Sequence, residues 1–308
     1  MVVNMLSSVS TRLIQIKRIA VLTDLGNDSE KMMRYAASLA RWYGSELLLF
    51  HAYPPEFYAA MPPEPLPMWP ASGLSPREDA EVKIKALTDK LNLKDLTPKV
   101  LIRETSVAHI LEEMDEYHPS LVVLATHGRK GIEKCFVGSV AEEVFRRVHW
   151  PVLILGPDCV PPESMLQTQF ERVLYATDLS TVSLTALHYA SGISHDHEAQ
   201  LIALYVEPDA RQGFSFDQVI AQRRLEDWLQ DNIDGMSEAL AGVHCMVDFG
   251  KPEAKITEVA VRQQADLVVV GARGLGAISG AASHFIGGTA YEVSCASRCP
   301  VLIVPQPR

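Results

Sequence analysis

The stretch "IKRIAVLTDLGNDSEKMMRYAASLARWYGSELLLFHAY", Ile16 to Tyr53, returns in the second half of the chain as "FERVLYATDLSTVSLTALHYASGISHDHEAQLIALYVE", Phe170 to Glu207. Each version holds a short apolar run, a Thr-Asp-Leu turn, a segment of helical period and a second apolar run. Two later stretches return as well. "TSVAHILEEMDEYHPSLVVLATHGRKG", Thr105 to Gly131, is echoed by "GKPEAKITEVAVRQQADLVVVGARGLG", and "GSVAEEVFRRVHWPVLIL", Gly138 to Leu155, by "GGTAYEVSCASRCPVLIV". Self-similarity on this scale marks a duplicated structural unit.

Within each copy, continuous Val/Ile/Leu runs alternate with helical patterns, as expected for a parallel sheet buried on both faces. Between Lys31 and Trp42, Met32, Tyr35, Ala36, Leu39 and Ala40 fall on one helical face. The fold class is therefore α/β, with two doubly wound parallel-sheet domains in tandem. Residues 1–18 form a leader and the start of the first strand, 17–156 the first domain, 157–169 a linker and 170–308 the second domain. The linker lies in the Pro-rich joint "GPDCVPPESMLQTQ". A second irregular segment, "PPEFYAAMPPEPLPMWPASGLSP", Pro54 to Pro76, carries too many prolines for regular structure and suits a lid or a contact surface.

Composition narrows the function classes. The 308 residues are 47% hydrophobic and 21% charged, which is ordinary for globular domains. No apolar run approaches the ~20 residues of a membrane helix. The opening "MVVNMLSSVSTRLIQIKR" places its basic residues after a mildly apolar part, so it reads as a floppy leader and not as a secretory signal. A formal charge of −10 without a Lys/Arg cluster argues against nucleic acid as a partner. The odd set Cys135, Cys159, Cys245, Cys295 and Cys299 suits a reducing cytoplasm.

Ligands of open parallel sheets collect at the carboxyl ends of the strands, where strand order reverses. "THGRKGIEKCFVGSVAEEV", Thr126 to Val144, leaves a strand at that edge and reaches Gly138-Ser139 just before a helical segment. Ser139 suits an N-cap and Glu142 the third residue of a capping box. The amides of that first turn and the helix dipole attract an anion, and glycines let it approach the backbone. Glycines at strand ends also serve as plain turns, and neither the P-loop nor the dinucleotide fingerprint is present. Asp24 and its repeat Asp178 would accept hydrogen bonds from ribose hydroxyls or cap the following helix.

The residues "AVLTDL", "LLLFHAY" and "SLVVLATHGRKGIEKCFVGSVAEEVFRRVHWPVLIL", with their second-half counterparts, resemble the universal stress protein family. The resemblance covers nearly the whole chain as a tandem pair and implies a Rossmann-like fold of the adenine nucleotide alpha hydrolase type. Nucleotide-binding members carry Gly-x2-Gly-x9-Gly-Ser/Thr, where this chain has Ala125-x2-Gly128-x9-Gly138-Ser139. By resemblance, Leu22, Thr23 and Asp24 border the adenosine and Ala52 lies near the base. Ala125, Gly128, Arg129, Gly138, Ser139 and Val140 surround the phosphates. The second half offers Ala176, Thr177, Asp178, Val206, Gly271, Gly274, Gly287, Gly288 and Thr289. There, three residues are inserted before Gly287, and Gly288 replaces the hydroxyl-bearing residue. The first copy is the favoured site. The implied ligand is ATP or AMP, with Mg accompanying the phosphates. In the family the terminal strand, here "VLIL" and "VLIV", joins subunits through its edge, so the two halves are expected to form an intramolecular pseudo-dimer. Two such chains could associate further as a homodimer.

Other groups leave their alternatives open. Cys295 and Cys299 sit four apart on the last predicted helix, fit for packing, a thiol switch or half of a soft-metal site. His195 and His197 of "SHDHE" fall in a predicted helix-to-strand connection, where a solvated loop competes with a metal site. Arg129, Lys130 and Lys134 either assist phosphates or form a solvated basic loop. No Ser-His-Asp or Cys-His arrangement is legible, so no enzyme is assigned beyond weak ATP hydrolysis. Two functions remain: an adenine-nucleotide-binding regulator of the stress response, or a nucleotide-free scaffold acting on unknown protein partners.

Overall fold

A computed structural model of the chain describes residues 12–55, 73–126, 143–144, 147, 149–160, 169–208, 218–232, 242–272 and 287–306. The first half runs β1 (Arg18–Leu22), α1 (Ser29–Tyr43), β2 (Glu46–Tyr53), α2 (Pro76–Lys90), β3 (Lys99–Glu104), α3 (Val107–Glu116), β4 (Leu121–Ala125) and β5 (Val152–Leu155). The second runs β6 (Arg172–Thr177), α4 (Leu184–His197), β7 (Gln200–Glu207), α5 (Gln218–Asn232), β8 (His244–Phe249), α6 (Pro252–Arg262), β9 (Leu267–Gly271), α7 (Gly288–Ala296) and β10 (Val301–Val304). A 3-10 turn, Thr181–Ser183, leads into α4.

The ten strands among the described residues form one sheet in the order β3-β2-β1-β4-β5-β10-β9-β6-β7-β8. Neighbours are parallel except at the centre, where β5 and β10 run antiparallel with Leu153 opposite Leu302. Each half on its own would expose the edge of its last strand, a template for aggregation. Pairing β5 with β10 removes both edges and fuses the halves. One continuous core lies on each face of the sheet, and each core draws on both halves. Helices α1, α2, α4 and α5 cover one face. Helices α3, α6 and α7, with Val144 and Trp150, cover the other.

The apolar stripe read on α1 is buried as expected, and Met33 and Ala37 outside it are buried too. Gly44 ends α1 in the left-handed region at φ 68°, where glycine carries no Cβ penalty. In the repeat, Glu198 occupies that position at φ 54°. Helix α2 starts on a full capping box, Ser75 with Glu78, and Pro76 opens its first turn. The Pro-rich segment thus ends in a helix start that its proline count concealed; its residues 56–72 lie outside the described ones.

Three expectations are corrected. Residues 12–16 are not floppy: Leu13 and Ile14 N–H donate to the Asp196 carboxylate at 2.7 and 3.1 Å, and Ile14 and Ile16 are buried. Gly192 makes room for this strap, since a Cβ there would stand 2.4 Å from Ile14 Cγ1. "SHDHE" is not a solvated loop: His195 and His197 form the last turn of α4, and His197 is only 1% exposed. Cys295 and Cys299 do not share a helix face, because α7 stops at Ala296. Cys299 lies beyond it, with its thiol 3.4 Å from Ser297 Oγ. Cys159, Cys245 and Cys299 are free thiols. Among the described residues no helix is long and apolar enough to cross a membrane.

Candidate functional site

The repeated Thr-Asp-Leu turn follows β1 and β6 and is built the same way twice. Leu25 and Leu179 take left-handed backbone, at φ 58° and 61°. For a residue with a Cβ this costs about 1–2 kcal/mol and needs local compensation. The compensation comes from the threonines. Leu25 N–H donates to Thr23 Oγ1 and Leu179 N–H to Thr177 Oγ1, both at 3.0 Å. Each threonine hydroxyl also meets a buried serine, Ser29 at 2.7 Å and Ser183 at 2.9 Å. Ser183 Oγ donates onward to Ser180 O at 2.7 Å. The threonine side chains therefore hold the turn.

The aspartates do not cap the following helices. Asp24 Oδ1 accepts from Gly26 N–H at 2.8 Å. Asp178 Oδ1 accepts from Ser180 N–H at 3.1 Å and from Ser180 Oγ at 2.5 Å. Both carboxylates are thereby fixed at the carboxyl end of the sheet. Behind the first turn, His51 Nδ1–H donates to Thr23 O at 2.9 Å. Burial holds this imidazole's proton affinity below the ordinary range. Its counterpart in the repeat is Tyr205, whose hydroxyl donates to Glu207 Oε2. Burial first, and the Glu207 carboxylate next, push the Tyr205 phenol up to about 12.

In the second half these elements enclose a cavity of about 420 Å³. It sits at the switch point, between β6 and β9, where open α/β sheets place their ligands. Ala176, Thr177 and Asp178 line it from β6 and its turn, Tyr205, Val206 and Pro208 from the end of β7, and Val270, Gly271 and Ala272 from β9. Pro252 and Ile256 of α6 form a wall, and Gly287, Gly288, Thr289 and Ala290 bring in the start of α7. Gly287 N–H donates to Ala272 O at 2.8 Å, pinning the helix start over the strand end. Among the described residues no side chain caps α7, and none stands within 4 Å of where a Cβ on Gly288 would be. The result is an apolar slot with a carboxylate on one wall and the positive end of a helix on another. Among the described residues no group of three or more His, Cys, Asp or Glu could hold a metal ion.

The Universal stress protein family pattern matches residues 15–156 and again 169–305. The chain belongs to the universal stress protein family. A universal stress protein of Thermus aquaticus is 32% identical over 141 residues, which cover 44% of this chain and 98% of that one. A universal stress protein of Mycolicibacterium smegmatis is 25% identical over 308 residues, covering 93% of this chain and 96% of that one. The crystal structure of a universal stress protein from Archaeoglobus fulgidus shares the fold at a TM-score of 0.66 with 20% identity, covering 95% of this chain and 99% of that one.

For this tandem universal stress protein, the structure brings together all the second-half candidates except Gly274, which lies outside the described residues. In the first half, Leu22, Thr23, Asp24, Ala52 and Ala125 stand at the matching strand ends. Gly128, Arg129, Gly138, Ser139 and Val140, with Lys130, Lys134 and Glu142, lie outside the described residues. Sequence reading missed Ser29 and Ser183, although both stand six residues after the turn threonine in their own half. It also missed Tyr205, Pro208, Pro252 and Ile256, which reach the cavity only through the packing of α6 and the end of β7.

Proposed function

We propose that this universal stress protein binds an adenine nucleotide, ATP or AMP, and acts as a nucleotide-dependent regulator of the stress response. The observation that carries the reading is the second-half cavity, with Asp178 on one wall and the start of α7 on another. Ala176, Val206, Ile256 and Val270 give a flat base an apolar slot. The Asp178 carboxylate suits ribose hydroxyls, and the amides of Gly288 and Thr289 suit a phosphate. Gly288 favours close approach of that phosphate to the backbone. By the family pattern the first half offers a second site around Asp24 and Ala125.

The test has two parts. Protein purified without added nucleotide is denatured and the released small molecules are identified by mass spectrometry. ATP and AMP are then titrated calorimetrically into the wild type and into Asp178→Ala and Gly288→Val. Loss of a hydrogen bond to a charged group, about 1.5–3 kcal/mol, predicts roughly 10- to 100-fold weaker binding by Asp178→Ala at the second-half site. Unchanged stoichiometry and affinity in both variants would remove the site. No binding by the wild type would leave the scaffold reading.

A further inference from the structure

On the face of the sheet away from the cavity, the two halves meet through a side-chain cluster that no nucleotide function uses. His197 at the end of α4 stacks on Trp42 of α1, with ring centroids 4.5 Å apart and planes 12° from parallel. Tyr43 packs edge-on against the same imidazole and Phe170 packs beside it. Phe170 N–H donates to His197 Nδ1 at 3.4 Å, so Nδ1 carries the lone pair. Nε2 then bears the proton and donates to the Tyr43 hydroxyl at 3.1 Å. Arg12 of the strap lies over both aromatic rings of α1, 5.9 Å from Trp42 and 5.4 Å from Tyr43.

We propose that this cluster is an acid-sensitive latch: protonation of His197 at Nδ1 releases α1 and the strap from α4 while the central β5–β10 pair stays closed. A proton on Nδ1 would point at the Phe170 N–H, placing donor against donor. The charged groups around the ring do not help. Arg12 repels an imidazolium, Tyr43 is neutral, and the neighbouring Asp196 is engaged by the strap amides of Leu13 and Ile14. Two polar atoms of the same joint, Trp42 Nε1 and Ser194 Oγ, are buried without hydrogen-bond partners. Unsatisfied buried groups gain hydration on opening, which lowers the cost of releasing the joint.

Burial first, and Arg12 next, hold the His197 imidazole down at about 4, against 6.5 for a free histidine. A base whose proton affinity is depressed in the closed state favours closure fully above its free titration range. That preference is lost as the pH falls from about 6.5 to about 4. Between pH 6.5 and 4.5 the open joint should gain roughly 40-fold in population, about fivefold over the first pH unit and about sevenfold over the second. Proton release is immediate on neutralisation, so the latch is reversible.

The test is hydrogen–deuterium exchange of the full chain at pH 6.5, 5.5 and 4.5, corrected for the intrinsic rate at each pH. Protection at the end of α1 and the end of α4 should fall by about 40-fold over this range while β4, β5 and β10 keep theirs. His197→Gln, which can still accept at one position and donate at the other but does not titrate, should flatten that dependence. Equal pH dependence in wild type and variant would overturn the latch. Should the variant not fold, the wild type still decides: simultaneous loss of protection at the joint and in the central strands, or no loss at the joint, refutes it.

Discussion

At the scale of single residues, the candidate site rests on hydroxyl groups that hold its turns. Thr23 and Thr177 each accept an amide and meet a serine, and so hold a leucine in left-handed backbone with the aspartate beside it. Thr177→Val removes the acceptor and leaves Leu179 N–H short of a partner, while the buried Ser183 hydroxyl keeps only its bond to Ser180 O. A loss of about 1–3 kcal/mol is expected in urea unfolding, with Thr177→Ser nearly neutral. Equal destabilisation by valine and serine would contradict the hydrogen-bond role and point to the methyl group. The Thr-Asp-Leu repeat was legible in the sequence, but the aspartate's place was not. Each carboxylate accepts from the residue two positions on, and the helix starts that follow carry no side-chain cap.

At the scale of elements, the repeat shows where sequence rules hold and where packing overrides them. Gly44 and Glu198 close equivalent helices in the same left-handed conformation, and only the first is suited to it. Glu198 is exposed, so Glu198→Gly relieves strain at little cost in contacts and should raise stability by about 0.5–1 kcal/mol in thermal or urea unfolding. In the other direction, Ser75→Ala removes the side-chain acceptor at the start of α2 and should cost about 1 kcal/mol. A neutral outcome for both would mean that helix ends contribute nothing to the stability of this fold. The capping box Ser75-Pro76-Arg77-Glu78 was present in the sequence but masked by the surrounding prolines. The last turn of α4 was misjudged for a different reason. Polar residues usually mark a connection, whereas here Tyr43 and Phe170 N–H satisfy His197, and a satisfied histidine can be buried.

At the scale of the whole molecule, the two halves share both cores and one sheet, and are not beads on a string. Gly156 at the end of β5 sits so close to the C-terminal end of α7 that a Cβ would stand 2.9 Å from Ser294 O and 3.0 Å from Ser297 O. Lys31 Nζ reaches Gly156 O at 2.9 Å, which ties α1 to the same crossing. Unfolding should therefore be one cooperative transition. Calorimetry near neutral pH is expected to give a single peak with calorimetric and van't Hoff enthalpies in agreement. Two resolved transitions, one for each half, would mean that the shared cores do not couple them.

Duplication, parallel strand order, the buried stripe of α1 and the strand ends that carry the site were all written in local pattern, because hydrophobic period and turn chemistry depend on near neighbours. Tertiary structure alone decided that the second half shapes an apolar slot beneath α7 and that residues 12–16 and His197 bind the halves together, while the closing of β5 on β10 was expected from the family resemblance and not from local pattern. Each of these joins groups far apart in sequence, whose burial and hydrogen bonding are set only when the two copies pack against each other.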